Sequence, residues 1–94
     1  MTTTRHELVL PDLDLGEVPL VASVWHVAVG GDVSQGESVL EVLAGELTVD
    51  LPAPVSGVLI ERFVAEDEPL HVGQVLGMIL VSASDVDRSP GVSP

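Results

Sequence analysis

Glu41-Val42-Leu43-Ala44-Gly45-Glu46-Leu47-Thr48-Val49-Asp50-Leu51-Pro52-Ala53-Pro54-Val55-Ser56-Gly57 is the stretch that decides the fold. Strand-forming residues flank Gly45-Glu46 on both sides, and glycine reaches positive φ without steric cost, so residues 44–46 predict the tip of a hairpin. Residues 38–43 enter that tip and residues 47–51 return from it. Pro52 and Pro54 withhold backbone donors, which places the returning arm at a sheet edge or corner. Working outward, further strands are predicted within 7–13, 18–29, 55–60, near 63–64 and at 75–81, with Gly30-Gly31-Asp32 a turn between two of them. No segment sustains a helical period with caps, so the chain reads as all-β.

The 94 residues suffice for one small domain. Hydrophobic residues make up 46% of it, yet Trp25 and Phe63 are its only aromatics, so Val, Leu, Ile and Ala must fill the core. The formal net charge of −12 repels phosphate backbones and anionic membranes, which argues against nucleic-acid and membrane partners. With no cysteine there is neither a disulfide nor thiol chemistry. The apolar run 18–29 is too short to span a bilayer, and the N-terminus lacks the basic flank and apolar core of a secretion signal. A cytoplasmic location is expected.

The chain repeats itself. A shift of 37 residues lays Val27-Ala28 on Val64-Ala65, Val33 on Leu70, Gly36 on Gly73 and Val42-Leu43 on Ile79-Leu80. Two copies of a strand–turn–strand unit, neither able to bury its apolar face alone, predict two small antiparallel sheets packed face to face.

These features resemble the lipoyl and biotinyl attachment domains. Trp25-His26-Val27-Ala28-Val29-Gly30-Gly31-Asp32-Val33-Ser34-Gln35-Gly36 runs without gaps along that family's Trp-Leu-Val-Lys-Glu-Gly-Asp-x-Val-x-x-Gly stretch. Leu51-Pro52-Ala53-Pro54-Val55-Ser56-Gly57-Val58 follows its Ile-Pro-Ser-Pro-Val-Ala-Gly-Val, and Val72-Gly73-Gln74-Val75-Leu76 its Val-Gly-Gln-x-Leu. The resemblance implies a flattened β-barrel, a barrel-sandwich hybrid of two small antiparallel sheets related by a quasi-twofold repeat. It also implies an attachment lysine at the hairpin tip, eight residues before Pro54, where this chain has Glu46. The chain contains no lysine, and its cations are Arg5, Arg62 and Arg88, so the amide that holds lipoate or biotin cannot form. No cofactor is therefore expected. The tip Gly45-Glu46-Leu47 remains as a candidate docking surface, since the family's partner enzymes read the surroundings of this hairpin.

Nothing else in the chain reads as a catalytic site. A hydrated Glu46 is a poor nucleophile and has no base beside it in sequence. His6, His26 and His71 lack the spacing of a zinc site, so no metal is expected, and His26 reads as a partly buried, hydrogen-bonded histidine. Glu66-Asp67-Glu68-Pro69 and Asp12-Leu13-Asp14 read as solvated turns and lack the alternating pattern of a calcium loop. Ser34-Gln35-Gly36 has no acid or base partner. Trp25 and Phe63 are both expected in the core.

The expected organisation is an N-terminal extension at 1–6, a lipoyl-like domain at 7–81 and a flexible tail or linker at 82–94, where apolar periodicity is lost and prolines appear. The expected function is that of an unmodified, non-enzymatic interaction module that docks to an acyltransferase or a 2-oxoacid-dehydrogenase-like component. The alternative is the N-terminal domain of a larger acyltransferase-like enzyme, its tail serving as the interdomain linker.

Overall fold

The β-branched apolar segments supply the longer strands, and glycine-bearing intervals such as 29–30, 45–46 and 72–73 the turns between strands. The computed structural model describes residues 3–82 and contains eight strands in that range. They are β1 (Thr3–Val9), β2 (Leu20–Trp25), β3 (Asp32–Val33), β4 (Ser38–Ala44), β5 (Leu47–Pro52), β6 (Gly57–Arg62), β7 (Pro69–Leu70) and β8 (Val75–Ser82). One sheet has the order β1-β8-β6-β3 and the other β5-β4-β2-β7, with every pairing antiparallel. This is the predicted flattened barrel-sandwich of two small sheets.

Several boundaries differ from expectation. β1 begins at Thr3 and not at Glu7, because Thr3 to His6 continue the ladder against Ser82 to Ile79. Their side chains stay exposed, so no apolar alternation marks them in the sequence. Residues 18–29 yield a strand only at Leu20–Trp25, and Phe63-Val64 is not a strand. β3 and β7 are two residues long, too short for periodicity to reveal. Ser82 pairs at the end of β8, whereas residues 83–94, predicted as a flexible tail or linker, lie outside the described residues.

The sequence repeat is a structural one. β2, β3 and β4 correspond to β6, β7 and β8, and each half lends its short strand to the other: β3 pairs with β6, and β7 with β2. Turn hydrogen bonds recur at the same offset. The Ser34 N–H donates to Glu37 Oε1 and the His71 N–H to Gln74 Oε1, both at 2.9 Å. The Gly30 N–H donates to the Leu59 carbonyl, and the Asp67 N–H to that of Ala22. Gly30 and its mate Asp67 both hold positive φ, 91° and 72°.

Leu10, Leu40, Leu59, Leu76, Ile79, Val39 and Val42 are fully buried between the sheets, and no polar or charged side chain is buried with them among the described residues. Trp25 packs towards Gly77, where an added Cβ would come within 3.4 Å of its ring. Its indole N–H donates to the Val64 carbonyl at 3.0 Å, and the Arg62 guanidinium lies 5.5 Å from its ring centroid. Gly57 is held still more tightly: a Cβ there would collide with the Leu80 carbonyl oxygen. Phe63 departs from the core role predicted for it and is 46% exposed. It is the repeat mate of His26, one residue past the mate of Trp25, and alternation turns it to the outer face.

Candidate functional site

β4 and β5 join through a two-residue turn, Gly45-Glu46, with Ala44 paired to Leu47. Gly45 has φ of 62° and Glu46 does not have positive φ, the order a type II′ turn requires. The tip is anchored from the side. The Gly45 N–H donates to the Pro19 carbonyl at 3.0 Å, and a Cβ on Gly45 would lie 3.6 Å from Val18. Segment 18–19 thus braces the hairpin where it leaves the sheet.

Gly45, Glu46 and Leu47 are all exposed, Leu47 by 59%. Leu43, also exposed, is the third residue before Glu46 on the entering strand. The structure therefore brings the three predicted tip residues together on one surface, as a carboxylate beside an apolar side chain on a braced turn. Such a tip can be read by a partner offering a cation next to an apolar pocket.

The comparisons with known proteins agree with this architecture. A profile of the Biotin_lipoyl family, described as Biotin-requiring enzyme, matches residues 6–79. The chain belongs to that family. Among its relatives, the dihydrolipoyllysine-residue acetyltransferase component of the pyruvate dehydrogenase complex of Acholeplasma laidlawii is 33% identical over 74% of this chain and 12% of its own length. The dihydrolipoyllysine-residue succinyltransferase component of the 2-oxoglutarate dehydrogenase complex of Bartonella vinsonii subsp. berkhoffii is 30% identical over 99% of this chain and 22% of its own. This chain thus spans less than a quarter of the length of either relative. A solved single-chain, multi-domain long-chain acyl-CoA carboxylase shares the fold, with a TM-score of 0.66 over 88% of this chain and 8% of its own, at 15% identity.

The group that this family's resemblance implies, lipoyl or biotinyl on a lysyl amide, does not fit the tip. Gly45, Glu46 and Leu47 offer no amine, and no other residue of the chain is a lysine.

Other predicted positions are placed as follows. Glu66 and Glu68 do more than face solvent in a turn. Glu66 Oε2 accepts from the Trp25 backbone N–H at 3.0 Å, and Glu68 Oε1 from the Ala65 N–H at 3.0 Å. The Glu68 bond has the same three-residue reach as that of Glu37, a local turn contact, whereas Glu66 reaches back to β2 across the chain. Asp12 Oδ1 accepts from the Asp14 N–H, a local turn as expected. His26 is exposed and not partly buried, because it sits just beyond β2 on the outer face, with Nε2 3.5 Å from Asp50 Oδ1. Glu41 joins this pair: one ligand atom from each of His26, Glu41 and Asp50 lies within 4.8 Å of the others. Sequence spacing missed this trio, since strand register and not chain proximity assembles it.

Proposed function

We propose that this chain is an unmodified lipoyl-like interaction module, an accessory or docking subunit of an acyltransferase-type enzyme that is not an enzyme by itself. Glu46 stands where the family carries its modified lysine, and Gly45, Glu46 and Leu47 form the surface that a partner reads. The observation that carries this reading is an exposed, braced tip on an attachment-domain fold with no amine to modify. Relatives that are acyltransferase components of dehydrogenase complexes support the choice of partner class. The acidic, cysteine-free chain is in keeping with a cytoplasmic protein.

The test is an affinity capture from native lysate, comparing the wild type with Glu46→Ala and with replacement of residues 45–47. Capture of an acyltransferase or dehydrogenase component, lost in both variants, is the expected result. Capture unchanged by the tip moves the interface elsewhere on the domain, and absence of any such component refutes docking.

A second reading rests on the small share of its relatives' length that the chain spans. In it, the chain is the N-terminal domain of a larger acyltransferase-like enzyme, and the tail after Ser82 is its interdomain linker. The mass of the native protein, probed with an antibody against residues 3–82, distinguishes the two.

A further inference from the structure

We infer that His26, Glu41 and Asp50 form a surface site for a divalent transition-metal ion of the zinc class. The site lies on the outer face of the β5-β4-β2-β7 sheet and is separate from the hairpin tip. Glu41 and Asp50 are direct cross-strand partners on β4 and β5. Like charges in that relation repel, so the register holds together two carboxylates that favour a cation between them. Among the described residues, the only ion-pair partner near them is His26. Its Nε2 lies 3.5 Å from Asp50 Oδ1, close to the ~3.4 Å separating two donors in a tetrahedral shell of ~2.1 Å bonds. The remaining donor separations, within 4.8 Å, close by side-chain rotation at an exposed surface. One imidazole and two carboxylates suit zinc and its borderline neighbours, and the chain's charge of −12 concentrates cations around it. Three protein ligands leave a coordination position for water or for a side chain brought by a partner.

The fold does not demand this trio. The equivalent places on the other outer face hold Phe63, Met78 and Glu7, with Glu7 and Met78 paired across β1 and β8 as Asp50 and Glu41 are across β5 and β4. Those three places hold one carboxylate and no nitrogen ligand, whereas their counterparts gather three donors.

The experiment is titration of the 94-residue chain with zinc sulfate by calorimetry, with the histidine ring resonances followed by NMR. The expected result is a single site, with the His26 ring perturbed first and affinity reduced by about tenfold or more in His26→Ala and in Asp50→Asn. His6→Ala and His71→Ala should leave the affinity unchanged. These side chains are exposed, and circular dichroism confirms that each variant is folded. A gain-of-site variant, Phe63→His with Met78→Glu, should raise the stoichiometry from one to two. Binding that survives His26→Ala, or no binding up to about millimolar zinc, overturns the proposal and leaves His26 and Asp50 as an ion pair only.

Discussion

The half of the molecule running from β2 to β4 and the half running from β6 to β8 share one backbone and divide its side chains differently. In the first, Trp25 and Leu40 point inward. In the second, the matching places are Arg62 and Gly77, and Trp25 of the first half takes up the space over Gly77. Ala22 in one half answers Leu59 in the other, both fully buried. The inward positions are thus conserved as a sum across the two sheets, because close packing constrains total volume more than identity. The turns obey a looser rule. Glu37 and Gln74 perform the same capping bond with different charge, since a backbone N–H needs only an acceptor oxygen. Outer positions obey no common rule, and it is there that one face acquires His26, Glu41 and Asp50.

If volume is shared in this way, the largest loss should come from the side chain that serves both halves. Trp25→Ala should reduce stability by about 4 kcal/mol in urea denaturation, and a loss under about 1 kcal/mol would break the compensation argument. Gly57 comes next. Its mate Leu20 carries a full side chain, yet Gly57→Ala should lower stability by about 2–3 kcal/mol because the Leu80 carbonyl occupies the Cβ position. A neutral result would mean that the second half relaxes into the geometry of the first. The smallest effect concerns the turns. Gly30→Ala places a Cβ at positive φ and should cost about 1 kcal/mol, whereas Asp67→Gly, which makes the second turn like the first, should be neutral or stabilising by thermal denaturation.

Much of this was legible in the residues. Gly45 between strand formers announced the hairpin, and the Pro52-Ala53-Pro54 segment announced the edge: β5 is an outer strand, and Pro52 is its last residue. The offset between Gly36 and Gly73 reported a true structural repeat. β3 and β7 were invisible because a two-residue strand has no period. Phe63 was misplaced because its aromatic ring was read as core, although it stands one residue past the mate of Trp25, at the place of the likewise exposed His26. The tip was read from sequence alone, and its bracing by Val18 and Pro19 was not, since that contact joins segments far apart in the chain. The same holds for His26, Glu41 and Asp50, which come from three different segments.

The exchange of short strands between halves has a consequence for how the chain comes to be folded. Leu20 must wait for Leu70, Asp32 for Val58 and Thr3 for Ser82 before either sheet is complete. A nascent chain that has emerged only as far as Gly57 holds the strands β5-β4-β2 but no second sheet to cover their apolar inner face. Loop-closure entropy is spent before these distant pairings return anything, so acquisition of the native state is a late, concerted event and slow for a domain of this size. Because each half completes the other's sheet, the two sequence repeats are expected to unfold together and not as separate units.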